Sequence, residues 1–451
     1  MKALFGTDGI RGEAGNFPLD IPTVRIIGAS LASHLKASAR EPSLIIGRDT
    51  RESGAWLEQA LVEGAASNGA KCLSAGVITT PGVAYLTRLK QADAGVVISA
   101  SHNPYHDNGI KIFAPSGKKI ADAVERQIEA DIFAARQEAG NQIETSAHSN
   151  SETEKQLQSE YLNFLTNEIG SGLKLNSLRI VLDCANGASS DLAPRLFESL
   201  GAQVVPINSS PDGRNINLNC GSLHIESLQE KVVSEKADLG IAFDGDADRA
   251  LFVDCNGKFV DGDAALWVLS NQLQSRGQLK GNFVVATVMS NIGLEIALRS
   301  RGVDLVRANV GDKYVLEELL KRDGSLGGEQ SGHIIMPSLS LAGDGMITAL
   351  CLLRAMIDAD KSLADLTSEF HQYPQILVNV RVREKVPFES LPGVQKAVAE
   401  VEECLSQNGR LLLRYSGTEL LARVMIEGAN QSEINGYAEK IASQIRAEIG
   451  V

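Results

Sequence analysis

The 451-residue sequence predicts an α/β protein of three similar α/β units followed by a smaller α+β domain. Three observations carry this expectation. The length exceeds what one hydrophobic core fills, so several domains are needed. Short aliphatic runs recur, each ending in small or polar residues and leading into helical sequence: SLIIGRDTRESG (43–54), SLRIVLDCANGASS (177–190) and NFVVATVMSNIG (282–293). After TSEFHQYPQ (367–375) the pattern changes to polar and apolar alternation in NVRVREKVPFESL, then a helix and the strand pair GRLLLRYSG and LARVMIEG.

Taken in order, the first run is followed by GAWLEQALVEGAASNGA, the second by DLAPRLFESLGA and the third by LEIALRSRG, all apolar at helical spacing and closed by a glycine. Between the first two units, RQEAGNQIETSAHSNSETEKQLQSEY (136–161) is polar and poor in aliphatics, which suits a linker or surface helix. The strand ADLGIAF and its carboxylate-rich loop close the second unit near 255, and MITALCLLRAMI (346–357) reads as a core helix of the third. The expected domains are 1–150, 151–255, 256–369 and 370–451.

A formal net charge of −13 with no basic run would repel a nucleic-acid backbone, so nucleic acid is excluded as a partner, while locally gathered Arg and Lys can still hold an anionic substrate. The N-terminus lacks the apolar core of a signal peptide and no stretch is long enough to span a bilayer, so the expected location is the cytoplasm. Six scattered cysteines without a Cys-x-x-Cys pair read as reduced core thiols.

Chemistry concentrates in a few loops. DLGIAFDGDADRALFVD sets Asp244, Asp246 and Asp248 at alternate positions after an apolar strand, where they repel one another unless a cation neutralises them. Oxygen ligands select Mg²⁺ or Ca²⁺; the EF-hand loop is excluded because Arg249 stands where it needs Gly and Cys255 where it needs Glu, which favours Mg²⁺. A solvated acidic turn and an Asp-x-Asp phosphatase nucleophile remain alternatives. Mg²⁺ keeps positions for phosphate oxygens, and ISASHNPYHDNGIKIF offers Ser101. That segment is not a Gly-x-Ser-x-Gly elbow, and by itself Ser101 reads as a turn residue beside Pro104, with a Ser, His, Asp hydrolase as the sharper rival. GGEQSGHI brings Glu329, Gln330, Ser331 and His333 to a glycine-flanked loop suited to sugar hydroxyls, or to a plain surface turn. RYSGTELLARV offers Arg414, Ser416, Gly417, Thr418 and Arg423 to a phosphate dianion. Arg11 in FGTDGIRG and Lys313 in NVGDKYV are each, alone, loop charges.

Together and in this order, FGTDGIRG, SASHNPYHDNGIKIF, DCANGA, NINLNCGS, DGDADR, VGDKYV, GGEQSGH, RYSGTE and VMIEG resemble the α-D-phosphohexomutase superfamily, closest to its bacterial glucosamine-phosphate branch. The resemblance implies mixed sheets sandwiched by helices in the three α/β domains, arranged with the C-terminal domain around a central active-site cleft. It implies that Ser101 is carried as phosphoserine and binds Mg²⁺ together with Asp244, Asp246 and Asp248. Glucosamine 6-phosphate would become glucosamine 1-phosphate through a 1,6-bisphosphate, with a hexose or hexosamine 1,6-bisphosphate as activator, feeding UDP-N-acetylglucosamine and peptidoglycan. A glucose or mannose phosphomutase, or a metal-dependent sugar-phosphate phosphatase, is the alternative. Lys111, Arg11 and His102 match positions for proton transfer and charge stabilisation; Lys111 is preferred, with a pKa lowered by surrounding cations, and His102 is a secondary contact. Arg249, Lys313, Glu329 and Ser331 match substrate-binding positions, as do Arg414, Ser416, Gly417, Thr418 and Arg423 in the distal phosphate clamp. Gln330 favours the glucosamine branch. A homodimer is expected on the same ground. Three positions depart from the family pattern: Ala247 for glycine, Leu420 for proline and Lys313 for arginine.

Overall fold

A computed structural model describes residues 4–36, 41–135, 151–406, 408–416 and 419–451. The chain divides into two compact units, one of residues 1–288 with 306–367, the other of 289–305 with 368–451.

The first unit holds three mixed sheets. The first runs Phe5–Gly6, Gly9–Glu13, Asp107–Phe113, Ala94–Ile98, Ser43–Arg48, Lys71–Val77. The second runs Phe259–Val260, Ala250–Asp254, Leu239–Phe243, Arg179–Asp183, Gln203–Ile207, and the third Asp304–Ala308, Phe283–Thr287, Gly327–Gly328, Ile334–Ile335. Every residue of Ala94–Ile98, Leu239–Phe243, Ala250–Asp254 and Phe283–Thr287 is buried. These strands read as unbroken aliphatic runs because helices cover both faces of their sheets. One topological device recurs: a strand paired in parallel with its neighbour is followed by an antiparallel return, as Ile98 pairs Ile110, Phe243 pairs Ala250 and Gly328 pairs Ile334. The three returns carry SASHNPYH, DGDADR and GEQSGH, so one repeated fold element presents three of the candidate loops.

The helix Ser151–Phe164 follows the expected boundary at 150 yet packs on the first sheet. Gln158 Nε2 donates to the carbonyls of Ala75 (3.0 Å) and Val77 (3.2 Å), and Phe164 stacks on Tyr85 at 4.1 Å. The expected core helix is Gly345–Ala359, capped by Asp344, whose carboxylate accepts from the backbone N–H of Met346 and Ile347. No helix among the described residues is long and apolar enough to cross a membrane. Cys184 and Cys220 are buried as expected, but Cys255 and Cys404 are exposed: they lie on a strand-connecting turn and on a helix face turned away from the core.

The second unit is an antiparallel sheet, Gln375–Arg381, Leu421–Glu427, Arg410–Tyr415, with helices Pro392–Leu405 and Gln431–Ile449 packed on it. The last helix buries Ile434, Ala438, Ile441, Ala442, Ile445 and Ile449 at helical spacing, and its start is capped by Asn430. Residues 289–305 make their packing contacts chiefly with this unit. Asn291 joins Tyr373 through both main-chain groups, and Glu427 accepts from the Ile292 N–H at 3.1 Å.

Candidate active site

Ser101 sits in the left-handed region (φ 53°) at the turn between Ala94–Ile98 and Asp107–Phe113, and is buried. Its Oγ donates to Asp244 Oδ2 at 2.5 Å, across 143 residues of sequence, and His102 Nδ1 lies 3.3 Å from the same Oγ. Asp244, Asp246 and Asp248 are buried, and each can offer an oxygen within 4.8 Å of the others. Gly245 lets this loop approach Ser101: a Cβ there would stand 2.5 Å from the Ser101 carbonyl. Ala247 adopts φ 55°, so alanine occupies a left-handed position that costs roughly 1–2 kcal/mol for a residue with a Cβ, without displacing any carboxylate.

The acidic cluster has the properties of a hard-cation site. Burial and the charges of Asp248 and Asp246 hold the Asp244 carboxyl well above the ordinary carboxylate range. Burial pushes Asp248 in the same direction, but Lys111 and His333 outweigh it and hold it well below. Asp246 Oδ1 is buried without a hydrogen bond, while its Oδ2 accepts from Lys111 and from Thr80 Oγ1. An all-oxygen donor set with an unsatisfied buried carboxylate oxygen fits Mg²⁺.

The electrostatics reverse one expectation. Lys111 is ringed mainly by carboxylates, with Arg11 a weaker opposing charge: its Nζ lies 2.8 Å from Asp246, 3.1 Å from Asp8 and 3.4 Å from Asp248. Burial opposes its charge, but these three neighbours hold its pKa well above the ordinary lysine value, so it stands as an ammonium at neutral pH. The cations surround His102 instead. Burial, Arg249 and Arg11 push its imidazole down to about 4, leaving it neutral at pH 7 and competent to accept a proton. Arg11 pairs with Asp8 and reaches Asn103 Oδ1 at 3.4 Å. Arg249 Nε stands 3.9 Å from Asp244 and 3.8 Å from Asp248.

The GEQSGH hairpin places His333, expected only as one of the loop's polar groups for sugar hydroxyls, beside the acidic cluster. His333 is buried, with Nδ1 3.5 Å from Asp248 and Nε2 3.9 Å from Asp312. Burial disfavours its charge, but Asp248 and Asp312 prevail and raise it to about 9. A raised pKa means that the stabilisation is complete below the ordinary 6.5 and lost as pH climbs through about 9. In EDTA-treated protein, melting should lose about 3 kcal/mol of stability between pH 6 and pH 10 from this group, and His333→Asn should flatten that limb. An equal slope in the variant would reject this account.

Glu329 Oε1 accepts from the Gly311 N–H at 3.1 Å, and Ser331 Oγ lies 3.4 Å from Glu329 Oε2. Gln330 donates its amide to Asp261 at 3.1 Å. Lys313 pairs with Asp122 at 2.6 Å. A cavity of about 720 Å³ is lined by Lys111, Asp248, Asp312, Lys313 and His333, and an adjoining one of about 400 Å³ by Arg11, His102, Arg249 and Glu329. Asp8 and Thr80, absent from the sequence reading, touch Lys111 and Asp246; neither stands in a pattern that distinguishes it from a loop residue or a helix start.

In the second unit, Arg414 and Arg423 are direct cross-strand partners, and Asn379 flanks Arg423 on the other side. Two guanidinium groups paired this way repel unless an anion lies between them. Ser416 closes its strand, its N–H bonded to the Leu421 carbonyl and its own carbonyl to Lys385 Nζ. Gly417 and Thr418 lie outside the described residues.

Profiles of the phosphoglucomutase/phosphomannomutase family match four consecutive blocks: alpha/beta/alpha domain I at residues 2–139, domain II at 159–257, domain III at 261–373 and the C-terminal domain at 377–444. A phosphoglucosamine mutase of Solibacter usitatus is 51% identical over 449 residues, covering 100% of this chain and 99% of its own. One from Chlamydia felis is 44% identical over 452 residues, covering 100% and 98%. A phosphoglucomutase/phosphomannomutase family protein of Burkholderia thailandensis has a similar structure, with a TM-score of 0.79 at 22% identity over 100% of this chain and 99% of that one. An Aspergillus fumigatus N-acetylphosphoglucosamine mutase in complex with GlcNAc-6P and magnesium gives 0.64 at 18% identity over 98% and 95%. At such identities the two structures bear on the fold.

Proposed function

We infer the reaction from the premise that this chain belongs to the phosphoglucomutase/phosphomannomutase family and, within it, to the phosphoglucosamine mutases. It is an isomerase that interconverts glucosamine 6-phosphate and glucosamine 1-phosphate. Ser101 carries the phosphoryl group, and the observation that supports this is its Oγ, 2.5 Å from Asp244 in a buried carboxylate cluster that fits Mg²⁺. We read it as a cytoplasmic enzyme whose partner is the phosphosugar.

Phosphoserine donates to the sugar C1 hydroxyl: the P–O(Ser101) bond breaks as the P–O1 bond forms, and the proton lost from O1 is balanced by the one the departing Ser101 Oγ takes up, with His102 beside it to relay. The 1,6-bisphosphate then turns over, and Ser101 Oγ attacks its 6-phosphoryl. In that return step the serine proton must leave, and neutral His102, 3.3 Å away, can accept it. Lys111 holds a positive charge beside Asp246 and Asp248 and can give a proton to the departing sugar oxygen. Arg249 lies beside Asp244 and Asp248 of the same cluster and adds a second cation there. Asp244, Asp246, Asp248 and the phosphoserine would hold Mg²⁺, which when bound neutralises charge on the transferring phosphoryl. Glu329 and Ser331 line up as acceptors and donors for ring hydroxyls, Lys313 would exchange Asp122 for phosphate, and Arg414, Ser416 and Arg423 would hold the non-reacting phosphate.

The test offers glucosamine 6-phosphate, glucose 6-phosphate and mannose 6-phosphate with Mg²⁺ and glucose 1,6-bisphosphate. The amino sugar should be preferred by about tenfold or more in kcat/KM. Comparable turnover on all three rejects the glucosamine assignment. Inorganic phosphate released as fast as sugar 1-phosphate rejects a mutase in favour of a phosphatase.

A further inference from the structure

The turn after Ser43–Arg48, GRDTRESG, carries a buried arginine that the chemistry above does not use. Arg51 is fully shielded and pairs with Asp49 at 2.9 Å. Its guanidinium donates to four main-chain carbonyls of one loop: Ser101 at 3.0 Å, Asn103 at 2.8 Å, Asp107 at 2.9 Å, and Pro104. From the second sheet's side, Asn217 Nδ2 donates to two of the same carbonyls, Ser101 at 2.8 Å and Asn103 at 3.0 Å. The peptide N–H of Ser101 is held separately, through Ser99 Oγ at 2.9 Å, which donates on to Asp49 at 2.6 Å.

A simple hairpin turn needs none of this, since backbone pairing alone closes it. Burying a guanidinium is expensive unless its donors are satisfied, and here the ion pair and four carbonyls satisfy it. What the arrangement over-determines is the Ser101 backbone: its carbonyl is held from outside the loop by Arg51 and Asn217, and its N–H by Ser99, itself anchored to Asp49, while φ stays at 53°. Strain of this kind persists only where the surroundings enforce it. Asn217 is itself left-handed, at φ 58°, which aims its amide at the Ser101 carbonyl.

We propose that Arg51 and Asn217 are positioning residues that hold Ser101 in register for phosphoryl transfer in both half-reactions. The proposal rests on Ser101 being the phosphoryl carrier. A carrier that gives and then retakes a phosphoryl group must return to one geometry twice, and a misplacement of about 1 Å costs about a hundredfold in rate.

The experiment measures kcat, KM, melting temperature and phosphoryl content at Ser101 by intact mass in wild type, Asn217→Ala and Arg51→Lys. Asn217→Ala should lower kcat about tenfold and Arg51→Lys, which keeps charge and loses the fork, about a hundredfold, with KM within about twofold of wild type. A folded Asn217→Ala or Arg51→Lys protein with wild-type kcat overturns the proposal, as does a change confined to KM; either variant suffices. Wild type that holds no phosphoryl at Ser101 and turns over no sugar phosphate instead refutes the proposed function, so the two failures are separable.

Discussion

Ser101→Ala protein is expected to lose turnover by about 10⁵-fold or more, because the hydroxyl that would be esterified and returned is gone. Its melting temperature should stay within a few degrees of wild type. The loop is held by the Arg51 and Asn217 contacts to main-chain carbonyls, which the substitution leaves untouched, and the losses are the hydroxyl bond to Asp244 and the longer contact with His102. Removing one neutral hydrogen bond to a charged group costs about 1.5–3 kcal/mol at most. Intact mass should show no bound phosphoryl after incubation with glucose 1,6-bisphosphate, where wild type shows one. Asp244 is the decisive alternative acceptor, since an Asp-x-Asp nucleophile would sit in the same loop. A phosphoryl group mapped to Asp244, or residual turnover near wild type, would end the serine-carrier mechanism.

The strand, turn and helix units were legible because their signals are local. Leu239–Phe243 is an unbroken aliphatic run, and Asp244, Asp246 and Asp248 alternate directly after it. What was not legible depends on neighbours that the sequence does not place. Lys111 was expected among cations because Arg11, His102 and Lys111 share family positions, yet the turn of FGTDGIRG points Asp8 at Lys111, while Arg11 and Arg249 bear on His102. Gln330 reads as a sugar contact in GEQSGH, but its amide is bonded to Asp261, the cap of Gly262–Ser275. His333 was visible as one polar residue of a loop, and only folding brings it to Asp248. Residues 289–305 read as the continuation of a third α/β unit, and the domain III profile covers them; the bond from the Ile292 N–H to Glu427, far along the chain, is what no local signal shows.

Lys111→Met separates the two services that this lysine performs. In wild type one buried ammonium faces Asp246, Asp248 and Asp8, and its removal leaves Asp246 and Asp248 without their nearest cation, while Asp8 keeps Arg11 and Lys119. Breaking a buried pair by deleting one partner destabilises by about 3–5 kcal/mol, and methionine restores the volume, so the loss reports charge and not a cavity. The pH dependence fixes the sign. Lys111 is held above its ordinary 10.5, so its contribution is complete at neutral pH and is lost only in strong alkali. Asp8 and Asp248 are held low, so theirs is present above the ordinary carboxylate value and lost as pH falls through their lower folded values. Without Lys111 those carboxylates shift upward and destabilise when ionised. The melting difference between variant and wild type should therefore be largest near pH 7 and shrink toward pH 4. Added Mg²⁺ should recover part of it by supplying the missing cation. Turnover should fall on the order of 10³-fold even where Mg²⁺ restores the melt, because an ammonium beside the transferring phosphoryl cannot be replaced by thermal stability alone. A variant as stable as wild type at pH 7 would contradict the electrostatic account, and one that keeps wild-type turnover would remove Lys111 from the reaction.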